Sequence, residues 1–223
     1  MKRKIMMMLL IVGTMFMITG CGNEDAKKFK NDYESINGKE NTSGKIHRSI
    51  TIDENNPFVY TTAEEIVKKI ESKETFYVYF GDKLCPWCRS VIEKSIEVAK
   101  EKKIKTIYYV PIWDEDGNEI LRDRLKVNDE GKLETVKEGT EAYKKLLELL
   151  DNVLSDYSLT DKDNKKIETK EKRIYAPNFI YIENGEAKKL TEGISEKQSD
   201  SREELTEEIL KDEQEQFESF FQN

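Results

Sequence analysis

Cysteine and histidine are scarce in this 223-residue chain, which has three cysteines and one histidine. Beyond Cys21, near the N-terminus, the sulfur and imidazole ligands are Cys85, Cys88 and His47, and a structural zinc site needs about four ligands. A cysteine protease is poorly supported, because His47 lies in a predicted linker or edge and not beside a nucleophile. The chain also lacks a phosphate loop and a glycine-rich dinucleotide fingerprint. We therefore predict no metal and no cofactor.

Long hydrophobic runs are also absent, with one exception at the N-terminus. The basic residues Lys2 to Lys4 precede an uncharged, methionine-rich stretch at 5–19. This is the shape of a secretory signal, and the stretch is too short for a comfortable membrane span. It ends at Ile18-Thr19-Gly20-Cys21, which resembles the lipobox of bacterial lipoproteins. That resemblance implies cleavage before Cys21 and a diacylglyceryl group on its sulfur.

Two other interpretations of this leader remain open, an ordinary signal peptide with a chance cysteine and an uncleaved anchor. All three place the rest of the chain outside the cytoplasm, and the lipobox implies a location on the extracytoplasmic face of the cell membrane. We predict a lipoprotein signal peptide at 1–20, a flexible tether at 21–45 and one folded domain at 46–223. The tether is polar, and a short helix around residues 24–36 is its alternative.

Positive charge is in deficit, with 37 Lys and Arg against 45 Asp and Glu. Removal of the leader takes away three positive charges and moves the formal net charge from −8 to −11. A domain this acidic is a poor candidate for binding nucleic acid or anionic lipid surfaces. We therefore predict no nucleic-acid partner, and expect the lipid on Cys21 to hold the protein at the membrane.

Once Cys21 carries a lipid, Cys85 and Cys88 are the remaining thiols of the sequence. A cysteine pair in an exported protein usually forms a structural disulfide. A bridge across two residues closes a very small loop, however, and adds little stability. The Cys85-Pro86-Trp87-Cys88 segment therefore indicates redox chemistry.

The hydrophobic pattern predicts an α/β domain with a central mixed sheet flanked by helices. A capping box at Thr61/Glu64 or Thr62/Glu65 predicts a helix start, and Asn184-Gly185 predicts a hairpin turn. The segment from Trp113 to 138 is charged and irregular. The other expected elements are a weak strand at 50–52, strands at 75–80, 104–112, 174–182 and 187–190, helices at 89–102, 140–157 and 202–221, and a polar loop at 158–172.

The cysteine pair follows the apolar strand at 75–80 and opens a helix. Cys85 is expected at or near the helix N-cap, and Pro86 suits the first helical position, where no N–H is needed. The helix N-terminus stabilises a thiolate through its partial charge and unpaired N–H groups. Cys88 lies one turn later, so it can resolve a mixed disulfide formed on Cys85.

Two neighbours of the cysteines have open roles. Trp87 is either a substrate-contacting aromatic or a residue that packs over the helix end, and both roles can hold together. Arg89 could add positive potential at the pair, but we favour a solvated residue on the helix face.

The segment from Phe80 to Arg89, Phe-Gly-Asp-Lys-Leu-Cys-Pro-Trp-Cys-Arg, resembles the active-site segment of thioredoxin-fold proteins. It is most similar to the small secreted group that includes bacteriocin transport accessory proteins. Ala176-Pro177 before a strand resembles the cis-proline loop of that fold, with a trans proline opening a strand as the alternative. The resemblance spans about residues 50–221. It implies a thioredoxin-like fold with a helical and loop insertion before the cis-proline strand.

The resemblance also implies a function. Cys85 and Cys88 would be catalytic, and Trp87, Pro86, Ala176 and Pro177 would contact the substrate chain. The partners would be thiols or disulfides of exported proteins, with a possible membrane redox partner. The alternative is a non-catalytic surface lipoprotein that serves as a binding or export-accessory module.

The match departs from thioredoxin in three respects. Thioredoxin has a buried acid six residues before the first cysteine, where this chain has Tyr79. The intervening dipeptide is Pro-Trp, which is nearer to oxidase-type centres than Gly-Pro is. The segment at 113–172 is long for the fold. These residues do not by themselves indicate the direction of electron flow.

Overall fold

The computed structural model describes residues 21–128, 130–161 and 165–222, and for residues 21–23 it describes the backbone alone. The predicted signal peptide at 1–20 and the side chain of Cys21 lie outside the described residues. The described part of the chain is mixed α/β, with five helices and a mixed central sheet. None of its helices has the length and apolar composition needed to cross a bilayer.

Helices and strands alternate through the first half of the chain, and short hairpins interrupt the second half. The helices are α1 (Cys21–Glu34), α2 (Ala63–Glu71), α3 (Pro86–Glu101), α4 (Glu141–Leu149) and α5 (Glu207–Phe220). The strands are β1 (Phe58–Tyr60), β2 (Phe76–Gly81), β3 (Ile107–Pro111), β4 (Arg124–Val127), β5 (Leu133–Lys137), β6 (Ser155–Thr160), β7 (Lys166–Arg173), β8 (Asn178–Glu183) and β9 (Glu186–Thr191).

The central sheet has the strand order β1-β3-β2-β8-β9. The first three strands are parallel, and β8 and β9 run antiparallel to their neighbours. Every residue of β2 is buried, as expected for a central strand covered on both faces. One apolar cluster joins the sheet to α1, α3 and α5, and a second joins its other face to α2 and α4. The prediction of a mixed sheet flanked by helices is confirmed.

Local signals located several elements correctly. Thr62 caps α2 by accepting a hydrogen bond from the Glu65 N–H, so the helix starts at the second of the two predicted positions. Asn184 and Gly185 both have positive φ and join β8 to β9 as predicted.

The prediction of a flexible tether at 21–45 is at odds with the described structure. Residues 21–34 form α1, and Phe29 and Tyr33 are fully buried in the first cluster. Phe29 stacks on Phe58 of β1 with ring centroids 4.2 Å apart. The composition of the segment is polar overall, but two aromatic residues one helical turn apart are enough to hold it on the sheet.

The weak strand predicted at 50–52 does not form, although Ile50 and Ile52 are buried. The side chain of Asn37 takes the place of a neighbouring strand: it donates to the Ile50 carbonyl at 2.8 Å and accepts from the Ile50 N–H at 3.1 Å. This segment therefore satisfies its backbone without joining the sheet.

The insertion before β8 also differs from its prediction. The expected helix at 140–157 ends at Leu149, and the expected polar loop at 158–172 is largely the hairpin of β6 and β7. The irregular segment from Trp113 contains a second hairpin, β4 and β5. Tyr157, which was expected in the helix, lies in β6, and its ring packs under the Arg173 guanidinium at 4.2 Å.

Candidate redox site

The two cysteines lie where the buried strand β2 gives way to α3. Cys85 is the N-cap of α3, and its Sγ accepts a hydrogen bond from the Cys88 N–H at 3.3 Å. The Cys85 N–H in turn donates to the Asp82 carbonyl at 3.2 Å. Pro86 occupies the first turn, as predicted, where proline costs no hydrogen bond. Both cysteines are free thiols.

The two thiols differ in access and in acidity. Cys85 is 4% exposed and Cys88 is completely buried. The Cys88 thiol donates a hydrogen bond that lowers the pKa of Cys85, against the opposing effect of burial. Burial raises the pKa of Cys88 well above its usual value. Cys85 is thus the sulfur suited to attack, and Cys88 is suited to act on a partner already bound to Cys85.

A loop at the start of β8 faces Cys85. The Ala176–Pro177 peptide bond is cis, as predicted. The Cys85 thiol donates to the Ala176 carbonyl at 3.4 Å. Asn178 fixes the loop, because its side-chain oxygen accepts from the Tyr175 N–H at 2.7 Å and its backbone pairs with Phe80 of β2. The four residues predicted to contact substrate, Pro86, Trp87, Ala176 and Pro177, therefore belong to two segments that meet at Cys85.

Trp87 packs partly against the first apolar cluster and is neither buried nor fully exposed. The packing role is therefore present.

The expectation that Arg89 is solvated is wrong, since its side chain is completely buried. The guanidinium donates to the carbonyls of Arg48 at 2.9 Å and Tyr33 at 2.7 Å, and to Oδ1 of Asn37 at 2.6 Å. It also reaches the Lys83 carbonyl at 3.4 Å. Helical spacing could have signalled this burial, because Arg89 lies three residues before the buried Ile92.

Asp82 is a site residue that we did not predict. The residue is 3% exposed, and its carboxylate accepts from the Leu84 N–H at 2.9 Å and the Trp113 N–H at 3.4 Å. Burial raises the pKa of Asp82 to about 6. Its charge also opposes a thiolate on Cys85. The sequence signal was an acidic residue immediately after an apolar strand and three positions before a cysteine.

Replacement of Asp82 by asparagine is expected to stabilise the protein above pH 6. The folded state holds the carboxyl protonated up to about pH 6, whereas the unfolded chain ionises near 3.8, so the wild type loses stability as pH rises between these values. The pKa difference corresponds to about 3 kcal/mol, and about 1 kcal/mol is subtracted because asparagine has one fewer acceptor. Urea unfolding at pH 7.5 should therefore give a free energy of unfolding for Asp82→Asn that is about 2 kcal/mol larger than that of the wild type.

The gain should nearly disappear at pH 4, where the wild-type carboxyl is protonated in the folded state and only about half ionised in the unfolded chain. Asp116→Asn, in an exposed turn of the same loop region, serves as the control and should change stability at neither pH. An equal gain at both pH values would contradict the assignment of a buried, protonatable Asp82.

Tyr79 occupies the position at which thioredoxin has its buried acid, and it is completely buried. Its hydroxyl acts as a hydrogen-bond donor toward the Cys88 thiol, which lowers the pKa of Cys88 against the larger effect of burial. The ring folds beneath the end of β2, where a Cβ on Gly81 would come within 2.1 Å of the Tyr79 hydroxyl oxygen. Gly81 is therefore required for Tyr79 to reach the cysteines.

A cleft of about 460 Å³ opens beside the cysteine loop. Leu84 and Trp113 form one side, and His47 with the turn at 39–42 forms the other. Trp113 connects this cleft to the cysteine site, because its N–H donates a hydrogen bond to Asp82. No pattern in the sequence indicated this role of Trp113, which lies in the segment predicted to be irregular.

Among the described residues, no group of three or more His, Cys, Asp or Glu side chains is arranged to hold a metal ion. Comparison of the chain with protein-family models and with curated proteins found no match.

Proposed function

We propose that this protein is a thiol–disulfide oxidoreductase with a thioredoxin-like fold, which exchanges disulfides with exported proteins through Cys85 and Cys88. One observation carries the proposal: Cys85 caps a helix, has a lowered pKa and donates to the carbonyl of the cis-proline loop at 3.4 Å. A cysteine pair at a strand-to-helix junction, opposite a cis proline, is the pair of features on which the resemblance to thioredoxin-fold proteins depends.

The exchange follows from the unequal thiols. In the reducing direction, the Cys85 thiolate attacks a client disulfide, one client sulfur leaves as a thiolate, and a mixed disulfide forms on Cys85. Cys88, once deprotonated, attacks Cys85, so the Cys85–Cys88 bond forms and the second client thiolate leaves. The client is then reduced and the protein oxidised by two electrons. The oxidising direction is the same sequence reversed.

The location is part of the proposal. We infer export by the signal at 1–20 and anchoring through a lipid on Cys21, at the extracytoplasmic face of the cell membrane. Recycling of the pair then requires a redox partner at the same face. Similarity to the group of bacteriocin transport accessory proteins fits this arrangement, in which the clients are exported proteins.

The test is a redox assay of the mature protein. We expect it to catalyse insulin reduction by dithiothreitol or oxidation of a dithiol peptide, and a Cys85→Ser/Cys88→Ser double variant to show no activity above background. The reduction potential, measured against glutathione buffers, decides the direction. Because a hydrogen bond lowers the pKa of Cys85 and stabilises the reduced form, we expect a value less negative than the roughly −270 mV of thioredoxin.

A wild type as inactive as the double variant in every redox assay would overturn the proposal. That outcome would favour the alternative of a non-catalytic binding or export-accessory lipoprotein. A potential at or below that of thioredoxin would retain the chemistry and assign the protein to the reducing direction.

A further inference from the structure

Two buried tyrosine hydroxyls lie behind the resolving cysteine. Tyr33 of α1 and Tyr79 of β2 are both completely buried, and their hydroxyl oxygens are 3.0 Å apart. They belong to the same apolar cluster as Cys85 and Cys88. Polar groups in such a place are costly unless each is hydrogen-bonded. The cluster is therefore a small polar network inside the aromatic core.

The two hydroxyls have two protons, and the bond between them uses one. The second proton needs an acceptor, and the Cys88 sulfur is the partner on the Tyr79 side. The consistent assignment is that Tyr33 donates to Tyr79 and Tyr79 donates to Cys88. In this arrangement Tyr79 opposes the raising of the Cys88 pKa by burial, and the Asp82 N–H assists it.

Packing holds Tyr79 in this place. Its ring stacks on Phe179 of β8 with centroids 4.3 Å apart and on Tyr109 of β3 at 5.5 Å. Tyr33 is held independently, because its backbone carbonyl accepts from the buried Arg89 at 2.7 Å. The hydroxyls therefore cannot turn to water, and their positions are set before any reaction.

We propose that the Tyr79 hydroxyl stabilises the Cys88 thiolate by a hydrogen bond during exchange, and that Tyr33 is the positioning residue that orients Tyr79. This inference rests on the proposed function, because it assigns a task within the exchange at Cys85 and Cys88. The task is independent of direction. While the protein is being oxidised, Cys88 attacks as the nucleophile. While the protein disulfide is being reduced, Cys88 is the leaving group. Its sulfur is a thiolate in both reactions.

A small aromatic disulfide separates the two cysteines in one measurement. The Cys85 thiolate attacks 5,5′-dithiobis(2-nitrobenzoate), releases one thionitrobenzoate and retains the other as a mixed disulfide. Cys88 then loses its proton to solvent and attacks Cys85, so the protein disulfide forms and the second thionitrobenzoate leaves. The reagent is reduced by two electrons and the protein is oxidised by two. The first release reports on Cys85 and the second on Cys88.

We expect Tyr79→Phe to slow the second release about tenfold at pH 7, the usual scale for one hydrogen bond to a charged group. Tyr33→Phe should slow the second release about threefold, because the lost hydrogen bond is the one between Tyr33 and Tyr79, one step removed from Cys88. The first release should keep its wild-type rate in both variants. Tyr143→Phe is the matched control, since Tyr143 is equally buried but lies in the second apolar cluster, and it should change neither release.

An unchanged second release in Tyr79→Phe would overturn the inference, as would equal slowing of both releases, which would indicate a general disturbance of the site. Should Tyr79→Phe fail to fold, Tyr33→Phe decides by the same criterion. Failure of the proposed function is seen separately, as absence of exchange with protein disulfides in the wild type. The synthetic reagent requires no client.

Discussion

A Cys88→Ser variant is expected to accumulate as a mixed disulfide with its clients through Cys85. Resolution by the neighbouring thiol is intramolecular, and such a step acts at an effective concentration far above that of thiols in solution. Its loss should lengthen the life of the adduct by at least about a hundredfold. Cells that express the variant, quenched with acid and N-ethylmaleimide, should give adducts on non-reducing gels that dithiothreitol releases and mass spectrometry identifies.

The choice of serine follows from the geometry. The Cys88 side chain donates a hydrogen bond that lowers the pKa of Cys85, and a serine hydroxyl can replace that donor. Cys88→Ala removes it and should form adducts more slowly, although its adducts should last as long. Cys85→Ser is the matched control and should trap nothing, because Cys88 is completely buried. Equal trapping by Cys85→Ser would show that the two cysteines do not have the assigned roles.

An Arg89→Leu variant is expected to lose about 4 kcal/mol in free energy of unfolding. The guanidinium holds together three segments: the end of α1 through Tyr33, the chain at Arg48, and Asn37. Leucine would leave the Tyr33 and Arg48 carbonyls without this donor, which costs about 1–3 kcal/mol for each such group. Asn37 would lose one of two donors, since its side-chain oxygen also accepts from the Ile50 N–H. Chemical unfolding of the reduced protein at pH 7 measures the loss.

Two further substitutions separate charge from geometry in this prediction. Arg89→Lys keeps the charge but cannot span three acceptors, and should lose about 2–3 kcal/mol. Lys100→Leu, on the exposed face of the same helix, breaks a surface ion pair with Asp53 and should change stability by less than about 1 kcal/mol. A loss below 1 kcal/mol in Arg89→Leu would contradict the structural role of the buried guanidinium.

Elements with a strong local pattern could be predicted from the sequence. The apolar run of β2 and the Asn184-Gly185 turn each contain the signal that forms them. The N-cap position of Cys85 could be predicted for the same reason, since a strand, a break and a proline are all adjacent to it. The cis bond before Pro177 was predicted from resemblance and position, and the structure has it.

The features that were mispredicted or missed depend on contacts between distant parts of the chain. Arg89 is buried because acceptors from Tyr33 and Arg48 surround it, and these lie more than 40 residues away. Asp82 acquires its raised pKa from burial, and one of its two hydrogen-bond donors is the Trp113 N–H, 31 residues along the chain. Composition alone could not show that the polar segment after Cys21 would be held on the sheet by Phe29.

Helix α1 has a consequence for where the protein can work. It continues without interruption from Cys21 to Tyr33, a rise of about 18 Å for twelve residues. Two dozen residues of flexible chain would instead allow excursions of about 25–30 Å. With the lipid that we propose on Cys21, this helix would hold the redox centre at a nearly fixed height, in a thin layer above the bilayer. If the proposed function holds, we expect its clients to be chains whose cysteines pass through that layer as they leave the membrane.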